Sequence, residues 1–381
     1  MNPTTFREPT AGRPIRAEGG YWAFVPAPLP PTLQWDTVLV TALSRADAAL
    51  SRLEGVGSQL PNPHLLIDPY ARREAVLSSR IEGTQASLSD ILLDEIDPGR
   101  VEASRDDIRE VRNYVDALEF GIQRLQELPL SVRLVRELHR VLMQGVRGDH
   151  ATPGELRVSR NWIGPPGSTI DSAAYVPPPP HEMLQALGDW ERFLHDCDVL
   201  PDLVQCALMH EQFEAIHPFL DGNGRVGRLL ITLFLMERGR MTRPLLYLSA
   251  YFESNRAAYY DSLQAVRTHG AWRDWLMFFL TGVQLVATKA SDQAAELAAM
   301  RERYRGLVSG RSRASALVDE LFRAPITNAA SAARRLGVSD PTARAAISAL
   351  EDVGLLEEFT GRAWGKTWIA RPVLEILERP L

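Results

Sequence analysis

Apolar positions recur every three or four residues over most of the chain, the spacing that lines them up on one face of a helix. Residues 36 to 60, 68 to 82, 87 to 97, 104 to 127, 131 to 146, 181 to 196 and 201 to 215 carry this period, with proline or glycine in nearly every gap. A further helix is predicted over 225 to 237, where Val226, Leu229, Leu230, Leu233 and Phe234 make most of the circumference apolar. More helices follow over about 255 to 268, 271 to 289 and 291 to 308. Two stretches break the pattern. Residues 1 to about 35 are rich in proline and have no helical period, which predicts an irregular surface arm. Residues 153 to 180 mix β-branched and aromatic residues with turn formers, as expected of a hairpin or flap.

The character changes again at VSGRSRAS, a Ser/Gly/Arg stretch that reads as a linker. Beyond it, 312 to 323, 327 to 336 and 339 to 353 read as three short helices and 355 to 371 as a hairpin turned at its glycines, which is the winged-helix order. The expected fold is therefore mostly α, with a small β-hairpin flap and a C-terminal winged-helix domain. The expected division is a region over 1–100, a helical core over 101–310 and the winged helix over 311–381.

A chain of 381 residues exceeds what one core usually supports, and 45% hydrophobic with 24% charged residues is the composition of an ordinary soluble globular protein. A net charge of -6 argues against wholesale electrostatic binding to nucleic acid or an anionic membrane. Cys197 and Cys206 are the two cysteines and lack ligand-like spacing, so a reducing compartment is the simplest reading. The first residues hold no signal-peptide core, and the longest apolar stretch, Leu229 to Met236, is too short to cross a bilayer. The expected location is the cytoplasm.

Candidate chemistry concentrates in IHPFLDGNGRVGRLL, residues 216 to 230. Gly222, Gly224 and Gly227 spell G-x-G-x-x-G, but the flanking segments are helical, without the strand and distal acid that a dinucleotide fold needs. A Walker loop fails for want of Gly-Lys-Ser/Thr, and a zinc-protease helix fails because Glu214 stands four after His210. What fits is a helix N-terminus at Gly222, Asn223 and Gly224 whose exposed amides bind phosphate, with Arg225 and Arg228 forking onto further oxygens. Asp221 would repel that phosphate unless a hard cation such as Mg²⁺ bridged them. His217, mostly neutral at pH 7, could take a proton from an attacking hydroxyl. The alternative is a helix-helix turn with His217 as a satisfied core residue.

HPFLDGNGRVGR, His217 to Arg228, resembles the H-P-F-x-D-G-N-G-R-x-G-R motif of Fic-domain proteins, with all ten specified positions present. The helices from about 104 to 290 have the spacing of a Fic core, and GELR (Gly154 to Arg157) and AYVPPP (Ala174 to Pro179) look like the segments leading to and forming its flap. The resemblance implies a protein adenylyltransferase that moves AMP from ATP to a Ser, Thr or Tyr hydroxyl of a target protein or of itself. His217 would be the base and Asp221 the Mg²⁺ ligand. Gly222, Asn223, Gly224 and Arg225 would cradle the phosphates, Arg228 would hold the γ-phosphate, and Asn255 would contact the nucleotide. Glycine at 224, where lysine marks phosphoryl-transferring members, keeps the motif in the AMP-transferring pattern.

Ser78 and Glu82 in LSSRIEGTQASLSD are four apart at the C-terminal end of a predicted helix that Gly83 ends. The helix dipole disfavours a carboxylate there, so an arginine from another segment should compensate. SSRIEG, Ser78 to Gly83, matches the [S/T]-x-x-x-E-[G/N] inhibitory motif of Fic proteins, which implies that Glu82 pairs with Arg228 where the γ-phosphate would sit. A solvated Glu82 that pairs locally with Arg80 is the other reading. Tyr175, Val176 and Pro177 sit where the flap is expected, and a target segment could add to that edge by main-chain hydrogen bonds; a plain surface hairpin is the alternative.

Between 311 and 371 there are nine Lys/Arg against seven Asp/Glu. Arg344 on the third helix, with Arg362 and Lys366 on the wing, makes DNA a candidate partner; the near balance of charge equally suits a docking or homodimerisation module. Three functions therefore stand at this point. The first is an autoinhibited adenylyltransferase. The second is a DNA-binding regulator with a nucleotide-sensing core. The third is a Fic enzyme that uses another nucleotide or removes AMP.

Overall fold

The protein was analysed as a computed structural model, which describes every residue except 60–63, 147–151, 166, 197–199, 363 and 381. Cys197 lies outside the described residues. The helices α1 to α8 are Thr37–Gln59, His64–Ile81, Leu88–Asp94, Arg105–Arg124, Val132–Leu142, Pro180–His195, Asp202–Ile216 and Asn223–Glu237. They are followed by α9 (Ser249–Ser254), α10 (Arg256–His269) and α11 (Trp272–Leu307), then α12 (Ser312–Arg323), α13 (Ala329–Leu336), α14 (Asp340–Asp352) and α15 (Arg371–Glu378). The strands are β1 (Gly12–Arg16), β2 (Trp22–Pro26), β3 (Ile326–Asn328), β4 (Glu357–Glu358) and β5 (Thr367–Ile369).

Two expectations need correction. The N-terminal arm is not irregular: β1 and β2 pair antiparallel, with Pro14 opposite Phe24. Pro14 costs the ladder nothing because the Phe24 N–H points the other way, to the Val176 carbonyl at 2.9 Å. The helices expected over 271 to 289 and 291 to 308 form one, Trp272–Leu307. No glycine or proline interrupts the expected break, and the buried Ser291 donates its hydroxyl to the Ala287 carbonyl at 2.8 Å within the helix.

Two compact units share the chain: Met1–Leu50, Asn113–Met241 and Tyr251–Leu285 form the first, and Ser51–Arg112, Thr242–Ala250 and Val286–Leu381 the second. In the first, α7 is the central element. Every residue from Leu203 to Ile216 is buried, which agrees with a helix that has no polar face. Trp190 and Trp275 donate their indole N–H to the Met209 and Ala207 carbonyls of that helix at 3.0 and 2.9 Å. The partner helix α8 comes close because position 227 is glycine; a Cβ there would lie 2.6 Å from Glu214 Oε1.

In the second unit α2 packs against α12, with Arg323 bonded to Asp68 at 2.9 Å, and against the C-terminal segment, where Arg73 donates to the Arg379 carbonyl at 2.8 Å. Residues 312 to 369 run helix, strand, helix, helix, strand, strand, with sheet order β3-β5-β4. Among the described residues no helix is long and apolar enough to cross a membrane.

Candidate active site

Two helix ends in the first unit face the motif. α7 ends on His217, which takes a left-handed conformation (φ 51°, ψ 61°) as the C-cap and donates its backbone N–H to the Phe213 carbonyl. A non-glycine residue in this region is unusual, so its surroundings must hold it there. Arg157 does much of that. It is 2% exposed and donates to the carbonyls of His217 (2.8 Å), Ile216 (3.4 Å), Ser159 (3.2 Å) and Pro178 (2.5 Å). Its cation sits at the C-terminal end of α7, where the helix dipole favours positive charge. Burial lowers its pKa to about 10, which leaves it charged at neutral pH.

The loop after His217 closes on itself. Asn223 accepts from the Phe219 N–H and donates to the Phe219 carbonyl, both at 2.9 Å, and Phe219 is fully buried. Gly222 is left-handed (φ 75°) at the start of α8, and a Cβ there would lie 2.8 Å from Met143 Sδ. The amides of Asn223 and Gly224 fall in the first turn, which intrahelical bonding leaves for other acceptors. Arg225 and Arg228 are 3% and 2% exposed, adding positive charge to a helix end that is already positive. The Asp221 carboxylate is open, 54% exposed, and lies 3.9 Å from Arg225.

The His217 ring is held neutral. Removal from water pushes its pKa down to about 3, the Arg157 and Arg267 cations act in the same direction, and the Glu214 backbone carbonyl opposes them. Its Nδ1 is buried. Behind it in α7, His210 is pushed down to about 3, mainly by burial. It lies 3.1 Å from the Gly227 carbonyl through Nδ1 and 2.8 Å from the Tyr259 hydroxyl through Nε2.

The other sequence candidates divide. Asn255 is exposed at the N-cap of α10 and donates to the Tyr251 carbonyl at 2.9 Å. Ser78 and Glu82 belong to the second unit: Ser78 is fully buried near the end of α2, and Glu82 is exposed one residue past it. Gly83 closes the helix at φ 106°, and the Thr84 N–H returns to the Ser79 carbonyl at 3.2 Å.

Tyr175, Val176 and Pro177 are a correction, because all three are buried. Tyr175 exchanges both main-chain bonds with Ile163 and donates its hydroxyl to the Ala215 carbonyl at 2.7 Å, while the Val176 carbonyl accepts from Phe24. The Tyr175 main chain and the Val176 carbonyl are thus engaged inside the fold. The reason is the β1–β2 hairpin, whose Phe24 packs on the Tyr175 ring at 6.0 Å.

Two residues that hold this geometry were given no role in the sequence: Arg157, which closes the GELR segment, and His139, which lies in no motif. His139 in α5 is fully buried and stacks on Phe219 with ring centroids 3.8 Å apart. A histidine on the apolar face of an amphipathic helix is indistinguishable in sequence from a core residue.

Residues 40–123 match the Fic/DOC family N-terminal model and residues 129–235 the Fic/DOC family model, together just over half of the chain. The chain belongs to the Fic/DOC family. The second match contains the whole 217–228 loop along with His139 and Arg157, and the first contains Ser78, Glu82 and Gly83.

Protein adenylyltransferase Fic of Drosophila erecta is 32% identical over 117 residues, 30% of this chain and 21% of that protein. The Drosophila melanogaster protein of the same name is 31% identical over 117 residues, 30% of this chain and 22% of its own length. The chain thus spans about a fifth of the length of these curated relatives. A Fic family protein from Desulfovibrio desulfuricans has a similar fold, with TM-score 0.60 and 19% identity over 90% of this chain and 98% of its own. Fic-1 from C. elegans aligns with TM-score 0.52 and 23% identity over 69% of this chain and 75% of its own.

Proposed function

We propose that the chain is an autoinhibited protein adenylyltransferase that transfers AMP from ATP to a side-chain hydroxyl of a target protein or of itself. One observation carries this reading. A neutral histidine and a helix N-terminus carrying two buried arginines stand five residues apart on a loop held by hydrogen bonds from Arg157 and Asn223.

The hydroxyl oxygen attacks the α-phosphorus, pyrophosphate leaves, and the hydroxyl proton passes to His217. Because Nδ1 is buried, Nε2 is the nitrogen assigned to that proton. The amides of Asn223 and Gly224 and the guanidiniums of Arg225 and Arg228 bind the phosphates, while the Gly222 N–H, expected from the motif to join them, is taken by Asp221 Oδ1. The Asn223 side chain is engaged by Phe219, so its part is to shape the loop and to present its own amide. Asn255 is assigned to the nucleotide on family position.

The donor set suits Mg²⁺. Among the described residues no group of three His, Cys, Asp or Glu could hold a metal alone. One open carboxylate, Asp221, joined by phosphate oxygens and water is the arrangement magnesium accepts. Bound there, the ion would neutralise phosphate charge as pyrophosphate departs.

Glu82 is assigned to the brake, occupying Arg228 in place of the γ-phosphate. Loss of one charge-assisted contact is worth about 1.5 to 3 kcal/mol, or roughly tenfold to over a hundredfold in productive ATP binding. Residues 311–381 are assigned to a winged helix on their element order. Arg344, which would face DNA, forms an exposed pair with Asp340 at 3.3 Å.

Intact mass after incubation with ATP and Mg²⁺ tests the proposal. An AMP adduct is expected to be strong in Glu82→Gly and missing from Glu82→Gly combined with His217→Ala. Equal labelling of wild type and Glu82→Gly would sink the brake, and labelling that survives loss of His217 would sink the chemistry.

A further inference from the structure

Both ring nitrogens of His139 have partners of fixed character. The Gly154 backbone N–H can only donate, and it reaches Nδ1 at 2.8 Å. The Asp221 backbone carbonyl can only accept, and it lies 3.0 Å from Nε2. These two groups set the tautomer, with hydrogen on Nε2 and the lone pair on Nδ1. The stack on Phe219, 3° from parallel, fixes the plane of the ring.

A peptide bond is planar, so its C=O and N–H point to opposite sides. With the Asp221 carbonyl held toward His139 in α5, the Gly222 N–H turns away, and it donates to Asp221 Oδ1 at 2.6 Å. A single imidazole therefore orients the peptide that opens the phosphate loop and, through it, the carboxylate beside that loop. Its other nitrogen holds Gly154, at the head of the segment whose Arg157 grips the His217 carbonyl.

We propose that His139 is a positioning residue for nucleotide binding, holding the Asp221 carboxylate and the first amides of α8 in the geometry that receives phosphates. The inference rests on the nucleotidyl-transfer reading of the site. Simple core packing makes a different claim, because a phenylalanine could fill the space and keep the stack while leaving the Asp221 carbonyl and Gly154 amide without their partner.

The test places His139→Phe and His139→Gln in the Glu82→Gly background and measures the KM for Mg-ATP in AMP transfer, Mg-ADP affinity by calorimetry, and the thermal midpoint. The amide of glutamine can restore the donor to Asp221. His139→Phe is expected to raise KM and Kd about tenfold while kcat changes less than about threefold, with most of the affinity returning in His139→Gln. Unchanged affinity in His139→Phe overturns the proposal. So does a loss that follows the thermal midpoint with glutamine no better than phenylalanine. A parent that transfers no AMP yet binds Mg-ADP sinks the transfer reading alone and leaves His139 to be judged on Kd. A parent that binds no nucleotide overturns both.

Discussion

Arg157 donates from Nε to the backbone carbonyl of His217 at 2.8 Å, across sixty positions of sequence. The residue proposed to accept the proton is thus held in its left-handed conformation by a cation that also lowers its affinity for protons. Arg157→Met should cost about 3 kcal/mol or more in urea unfolding, because buried carbonyls lose their donor. Arg157→Lys should recover only part of this, since a point charge cannot reach four carbonyls. A lysine variant as stable as the parent would contradict the fork.

Asn223 supports the loop from within. Removing two buried bonds in Asn223→Ala should destabilise by about 2 kcal/mol and weaken Mg-ADP binding, although the side chain is engaged by Phe219. Asn223→Asp keeps the acceptor for the Phe219 N–H and should fall between the two. Unfolding and calorimetry on the same preparations decide whether stability and binding move together.

The depressed pKa of His217 has a kinetic consequence. With its pKa near 3 in the free protein, the ring stays unprotonated throughout the range in which an ordinary histidine gains its charge. The acid limb of kcat/KM, which reports the free enzyme, should therefore lie below about pH 5. A limb close to 6.5 would mean that the ring is solvated as an ordinary surface histidine.

His210 should appear in the acid stability of the fold. Its folded pKa of about 3 lies below the unfolded value, so the unfolded chain binds the proton first and stability falls as pH drops from about 6.5 toward 3. At pH 5 the loss is on the order of 2 kcal/mol. His210→Phe, deprived of its bonds to Gly227 and Tyr259, should be less stable at pH 7 yet show a flatter slope between pH 6.5 and 4. Equal slopes would remove His210 from the account.

Much of this was legible in the sequence because it is local. The helices at 37–59, 202–216, 223–237 and 312–323 lie within a few residues of their predicted bounds, since the apolar period and the proline or glycine at each end act over one turn. The stretch from His217 to Arg228 was legible for the same reason, as a left-handed glycine, a capping turn and two arginines are neighbours in sequence. Errors arose where a distant segment decides. The proline-rich arm became a hairpin because Phe24 has an acceptor at Val176, and Tyr175 to Pro177 were buried by the same contact.

The sequence by itself determined the helical class, the glycine-opened, arginine-bearing helix start at 222–225 and the presence of a histidine beside it, because backbone conformation, side-chain charge and spacing within one or two turns are local quantities. Only the tertiary structure decided what holds that histidine and that loop. Arg157, His139 and the hairpin at 12–26 act through hydrogen bonds between segments tens to hundreds of residues apart, and such pairings depend on how α5, α7 and α8 pack, which no local period encodes.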